Sequence, residues 1–240
     1  MENNIVLEVK DVAIHYGGVK AVDGVTFQVR KGEIHGLIGP NGAGKSTVID
    51  AITGRRKLTR GAVTLQGEDI SKLDVIARRR RGLARSFQRT SVFAEMTVGD
   101  QVGLAALKVG AADPEANSRD VLGQLDLLDM SDVEARELGY GQQRRLDLAL
   151  ALVGQPSVLL LDEPMAGLSA QESEDLAQHL KVLAGQWNVS VLLVEHDMDI
   201  LFGISNSVTV FELGKVIAGG DPQTIRSHPR VREAYLGSAA

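Results

Sequence analysis

The sequence predicts an α/β domain with a mostly parallel sheet, strand-rich at its amino end and interrupted by a helical insertion. Three observations predict it. Short alternating runs fill the first third, a helical period takes over from about residue 95 to 153, and two continuous apolar runs ending in acids follow, with a helical stretch between them. In the first third, Val25, Phe27 and Val29 are separated by Thr26, Gln28 and Arg30, the period-2 pattern of a half-buried strand. "IVLEV", "EIHGLI" and "AVTLQG" read as similar runs, divided by glycine-containing turns. Within the helical block, Val121, Leu125 and Leu128 share one face, and Leu146, Ala149, Leu150 and Val153 another. "SVLLLDEP" and "VSVLLVEHD" suit parallel strands buried on both faces, with "SAQESEDLAQHLKVLA" as the crossover helix. Near the end, Asp221 is placed to cap a helix that Pro222 begins.

Composition narrows the function. The 240 residues, 44% hydrophobic and 24% charged, suffice for one large domain with a real core. A net charge of −5 argues against a broad nucleic-acid footprint, which needs a basic surface. There is no cysteine, so disulfides and thiolate metal sites are excluded. The start "MENNIVLEVK" lacks the basic and apolar regions of a secretory signal, and runs such as "VLLL" and "VLLV" fall far short of the roughly 20 residues that span a bilayer. The expectation is a cytosolic protein; if it serves a membrane, another chain crosses it.

The most specific stretch is "GPNGAGKS" at 39–46. It fits G-x-x-x-x-G-K-[ST], after an apolar strand and before a helix, which is the context a phosphate-binding P-loop requires. Gly39, Gly42 and Gly44 let the backbone around Asn41 turn its N–H groups toward phosphate oxygens, with a helix N-terminus behind them. Lys45 is expected at the β and γ phosphates, Ser46 at Mg²⁺ and Thr47 at a phosphate oxygen. In "VLLLDEP", Asp162 falls at the carboxyl end of a buried strand, where it can hold Mg²⁺ through water, and Glu163 can polarise an attacking water.

From these motifs onward the chain resembles the ATP-binding subunits of ABC transporters, over essentially its whole length. The resemblance implies a P-loop NTPase core at about 1–90 and 154–240, including an N-terminal antiparallel β subdomain, and a helical subdomain at about 91–153. It implies that Tyr16 in "AIHYGG" stacks on adenine, and that Gln88 in "RSFQRT" contacts Mg²⁺ and water and links the site to the insertion. "LGYGQQRRLDLALA" is similar to the family signature. It implies that Gly139, Tyr140, Gly141 and Gln142 bind the γ-phosphate of the ATP held by a partner subunit. "MAGLSA" is similar to the seam loop of the dimer, and His196 to the switch histidine at the γ-phosphate. Two subunits facing head to tail, each completing the other's site, then close on ATP and open after hydrolysis. A GTPase reading fails because no Asn-Lys-x-Asp tetrad is present.

Three residues depart from the family pattern. Gly139 stands where serine is usual, Ser169 where aspartate is usual, and Tyr140 where glycine is usual. "YGQQRRL", "AGLS", "RSFQRTSVFAEMTV" and the terminal "DPQTIRSHPRVREAYLG" resemble the branched-chain amino acid importers. The partners thereby implied are a second ATPase subunit, transmembrane permease subunits and an external solute-binding protein, with this chain peripheral on the inner membrane face. A urea importer or lipopolysaccharide exporter is the alternative within the family. A soluble ABC ATPase acting on nucleic acid is the alternative outside transport, and only "RRRR" at 78–81 favours it; a solvated helix face or a lipid-phosphate contact accounts for that run equally well. The surface near Phe87, Arg89, Val92, Phe93 and Met96, beside Gln88, is expected to move with ATP. Val92, Phe93 and Met96, flanked by arginines, are expected to floor a groove that receives a helix of the membrane partner, the alternative being that they fill the helical lobe's own core.

Overall fold

Alternating strands and continuous apolar strands segregate into two different sheets. The computed structural model describes residues 4–86 and 91–232. Long strands β1 (Ile5–Tyr16) and β2 (Val19–Arg30) form an antiparallel hairpin. β3 (Ile34–Ile38) follows, then α1 (Lys45–Ile52), β4 (Arg60–Leu65) and the short β5 (Glu68–Asp69). The antiparallel sheet has the order β2-β1-β4-β5. One face of it, with Leu7, Val9, Val25, Phe27, Val29 and Val63, packs over α1.

α2 (Val75–Arg80) and β6 (Leu83–Ser86) lead into the helical region, made of α3 (Val98–Val109), α4 (Pro114–Gln124) and α5 (Tyr140–Leu152). The chain returns through β7 (Val158–Asp162), α6 (Ala170–Gln186), β8 (Ser190–Val194), α7 (Met198–Ile204), β9 (Ser207–Glu212), β10 (Lys215–Gly220), α8 (Pro222–Ser227) and α9 (Pro229–Val231). The second sheet has the order β10-β9-β3-β8-β7-β6. All its neighbours are parallel except the β9–β10 pair. No helix among the described residues is long and apolar enough to cross a membrane.

Several local expectations are corrected. "EIHGLI" does not alternate between core and solvent: β3 is buried at all five positions because it lies between β8 and β9. His35 is accommodated there by the hydroxyls of Thr209 and Ser207, at 2.9 and 2.7 Å from its ring nitrogens. Leu128 does not continue the face of Val121 and Leu125. α4 ends at Gln124, Asp126 takes a positive φ of 53°, and Leu128 begins an exposed 3-10 turn.

Only half of the arginine run is a solvated face: Arg80 and Arg81 are exposed, whereas Arg78 and Arg79 turn inward. Arg78 is buried and donates to the carbonyls of Ala51 (2.8 Å) and Ile52 (2.6 Å), closing the carboxyl end of α1, and to those of Ser71 and Leu73. Arg79 does the same for α5 through Ala151 and Val153. Helix C-termini leave carbonyls unpaired and carry partial negative charge, and a guanidinium satisfies both conditions at once. At the other helix ends the sequence signals hold: Asp221 accepts from the amides of Gln223 and Thr224, and Ser169 caps α6.

Candidate functional site

β3, β8 and β7 lie side by side and parallel, so their carboxyl ends deliver three loops to one edge of the sheet. From β3 comes the loop 39–44. Gly44 has φ of 104°, and a Cβ there would stand 2.6 Å from the carbonyl oxygen of Ala21; a Cβ on Gly39 would stand 2.7 Å from that of Phe211. No side chain fits at either position. Asn41 and Gly42 are exposed at the crest. No side chain caps the N-terminus of α1, so the amides around Lys45, Ser46 and Thr47 face the loop as free donors to an anion. Lys45 is buried, and its Nζ donates to the carbonyls of Gly39 and Pro40. Burial pushes its ammonium pKa down, while the negative charges of Glu163 and Asp162 pull it up.

From β7 come the acids. Asp162 is buried, and its Oδ2 accepts from Arg85 Nη2 at 3.2 Å; Arg85 is anchored in turn by Asp50 at 2.5 Å. Burial raises the Asp162 pKa, and Arg85 opposes the rise. The Ser46 hydroxyl is near enough to favour the carboxylate electrostatically, yet Oδ1 is buried and makes no hydrogen bond of ordinary geometry. A buried, unpartnered carboxylate oxygen beside a hydroxyl fits a hard divalent cation. Mg²⁺ takes one or two protein oxygens and fills its other positions with water and phosphate.

Glu163 has a left-handed φ of 55°, unusual for a residue with a side chain. Its N–H donates to Val194 O at 2.9 Å, joining the β7 loop to the end of β8. Its Oε1 lies 2.8 Å from His196 Nε2. The carboxylate and the histidine proposed from sequence are therefore in direct contact, both with open access to solvent. Glu195, next to His196 in the chain, is buried and accepts from the amides of Met165 (2.8 Å) and His196 (3.1 Å).

The signature residues form a second group, gathered on the seam loop. Gly139 precedes α5 and its N–H donates to Gln142 Oε1 at 2.8 Å. The Tyr140 hydroxyl donates to Ala166 O at 3.0 Å. Gly141 packs so closely on the Glu172 carboxylate that a Cβ would collide with it. The other oxygen of Glu172 accepts from both the amide and the hydroxyl of Ser169, each at 2.8 Å. Tyr16 lies at the end of β1 with its ring 46% exposed and the Arg56 guanidinium 5.7 Å from its centroid. Gln88, with Phe87 and Arg89, lies outside the described residues.

Sequence reasoning missed three residues here. Arg85 is paired to Asp162, Arg144 is bonded to the main chain at Glu163, and Asp147 accepts from Ser86 Oγ (2.5 Å) and Ser91 N (3.1 Å), on either side of the Gln88 segment. Only "RRL" and the aspartate after it hinted at two of them, since a charged residue on the apolar side of a helix calls for a buried partner.

The ABC transporter family matches residues 22–166. The chain belongs to that family. The cassette is 39% identical over 250 residues to the high-affinity branched-chain amino acid transport ATP-binding protein LivG of Salmonella typhimurium, covering 97% of this chain and 98% of that one. It is 36% identical to the corresponding protein BraF of Pseudomonas aeruginosa, covering 98% of each. Residues 215–240 match a second family, the branched-chain amino acid ATP-binding cassette transporter. Among solved structures, the ADP conformation of MJ1267, an ATP-binding cassette of an ABC transporter, superposes with a TM-score of 0.86 at 29% identity, covering 98% of this chain and 99% of that one. The cassette has the ABC ATPase fold, and it is an ATPase.

Proposed function

We propose that the cassette hydrolyses ATP to drive uptake of branched-chain amino acids through separate membrane subunits, working as a dimer on the cytoplasmic face. The observation that carries this is end-to-end similarity to LivG and BraF, joined by the carboxyl-terminal match. The loop 39–44 and the first turn of α1 hold the phosphates, with Lys45 neutralising β and γ oxygens, and Tyr16 supports the base. Ser46 and Asp162, with Gln88, hold Mg²⁺, which supplies charge neutralisation at the phosphates when bound. Glu163 orients and deprotonates the attacking water, and His196, already within hydrogen-bond reach of it, holds the γ-phosphate side in register. Residues 1–90 and 154–240 form the ATPase core in this scheme, and 91–153 the helical subdomain.

Residues 139–142 are proposed to complete the site of a second subunit, identical or a sister chain. The missing serine hydroxyl then costs the closed dimer about 1.5–3 kcal/mol, the value of a charge-assisted hydrogen bond. Gly139 has room for it: a Cβ would stand 3.5 Å from Gln142 Oε1, an ordinary contact. Gly139→Ser is expected to raise the Mg·ATP-dependent dimer fraction in sedimentation, measured in the Glu163→Gln background where hydrolysis cannot reopen it. Equal fractions with and without the serine contradict a γ-phosphate seat at Gly139.

The membrane partner is proposed to dock between the core and the helical subdomain. A cavity of about 270 Å³ lies there, with Val75, Leu83, Leu150 and Ala151 in its wall and Ser91 and Asp147 at its side. Phe93, two residues beyond Ser91, is 63% exposed, whereas Val92 packs on the core of the helical region and Met96 is half-buried. Of the three described residues expected to floor the groove, Phe93 alone offers a large apolar surface. Phe93→Ala is expected to leave ATP hydrolysis by the isolated cassette unchanged, while co-purification with the permease subunits and solute uptake fall together. Unaltered assembly and uptake place the docking surface elsewhere.

A further inference from the structure

Glu163 owes its place to main-chain contacts that arrive from the signature helix of its own subunit. Arg144 lies one turn into α5 and is buried. Its Nε donates to Pro164 O at 2.7 Å and its Nη2 to Glu163 O at 2.8 Å. Four residues earlier on the same helix, hence on the same face, Tyr140 bonds to Ala166 O. Positions i and i+4 of α5 thus grip the turn 163–166 from one side. On the other side, the last residue of β8 and the one after it hold the turn, through Val194 O at the Glu163 amide and Glu195 Oε1 at the Met165 amide. Between these grips sits the left-handed φ of Glu163, a conformation that persists only where surrounding contacts enforce it. An apolar side chain of similar length would fill the space of Arg144 without the desolvation cost of a buried guanidinium. What only arginine supplies is a rigid fork of donors that fixes two successive carbonyls at once.

We propose that Arg144 is a positioning residue for hydrolysis: it locks the Glu163 peptide to the signature helix, so that a displacement of that helix displaces the base. The inference rests on Glu163 being the group that activates water. Arg144 touches no nucleotide atom in this scheme, and its effect is exerted through the placement of a neighbouring main chain.

The test uses the purified full-length cassette with Arg144→Met, Arg144→Lys and Glu163→Gln, alone and with Arg144→Met combined with Glu163→Gln. Steady-state kcat and KM are measured together with affinity for a fluorescent ATP analogue and the melting temperature. Arg144→Met is expected to lower kcat by about 10- to 100-fold, the effect of a catalytic group displaced by about 1 Å, with KM and analogue affinity changed by no more than about twofold. Arg144→Lys keeps the charge but not the fork and is expected to recover part of the loss. The double variant is expected to turn over no more slowly than Glu163→Gln alone, because both substitutions disable one step.

A folded Arg144→Met with full kcat overturns the inference, as does a loss that appears in KM alone or multiplies with that of Glu163→Gln. If Arg144→Met does not fold, Arg144→Lys decides, and a folded lysine variant with full kcat overturns it. Normal turnover by Glu163→Gln removes the water-activating role itself. Lost turnover there, beside full kcat in Arg144→Met, removes only the positioning role.

Discussion

Glu163→Gln is expected to bind ATP as tightly as the unaltered cassette and to hydrolyse it about 10²-fold more slowly or worse, the usual consequence of removing a general base. The two side chains have nearly the same shape, and glutamine can keep an oxygen toward His196 Nε2, now 2.8 Å from the carboxylate. What it cannot do is accept the proton of the attacking water. Nucleotide affinity should survive because the cradle of Gly39, Gly42, Gly44 and the first turn of α1 is built by β3 and α1, without help from the Glu163 side chain. Steady-state phosphate release and a titration with a fluorescent ATP analogue, performed on the same preparation, separate the two effects. Unimpaired phosphate release would assign water activation to another group.

Lys45→Ala is expected to act one step earlier, on binding. Its ammonium is carried into a buried position by the first residue of α1 and kept there by the carbonyls of Gly39 and Pro40. Loss of charge-assisted hydrogen bonds to phosphate, worth about 1.5–3 kcal/mol, corresponds to affinity for ATP weaker by roughly 10- to 100-fold. The penalty should grow along the series from AMP to ADP to ATP, because Lys45 meets only the β and γ groups. The same titration with the three nucleotides checks this. Equal loss for all three would point to collapse of the loop, and unchanged affinity would remove Lys45 from the site. Melting temperature monitors the fold, since alanine leaves two carbonyls without their buried donor.

The contrast between legible and illegible features follows the range of the interactions. The loop at 39–47 announced itself because chain direction, absent side chains and one cation are all local requirements, written in consecutive residues. Asp162 and His196 were legible for a related reason: each ends a continuous apolar run, and parallel strands deliver such ends to one edge. Arg85 was not legible, and Arg144 and Asp147 showed only as charges on the apolar side of a helix, with no partner indicated. Their partners, Asp162 and Asp50, the carbonyls of Glu163 and Pro164, and Ser86 and Ser91, lie far along the chain or in the backbone. No spacing rule reaches them. Within the arginine run, Arg78 and Arg79 misled for the same reason, because a helix-end carbonyl that needs a guanidinium leaves no mark in composition. β3 misled differently: "EIHGLI" read as an alternating strand, but β8 and β9 on either side bury all five of its residues, and two hydroxyls of β9 satisfy the His35 ring.

The departures at Gly139 and Ser169 also gain a physical setting. Ser169 is a helix cap, and with Glu172 it fastens the start of α6. The carboxylate of Glu172 lies between Ser169 and Gly141, so the seam loop and the signature turn share one anion. Both stretches therefore belong to one packed surface.

The most direct test of the proposed function is accumulation of radiolabelled leucine, isoleucine and valine by cells that depend on this cassette, compared with cells lacking it and cells carrying Glu163→Gln at equal abundance. Concentrative uptake with the unaltered cassette, lost in both comparisons while uptake of an unrelated solute persists, is the expected result. Uptake of all three amino acids at the same rate in cells with and without the cassette would contradict it.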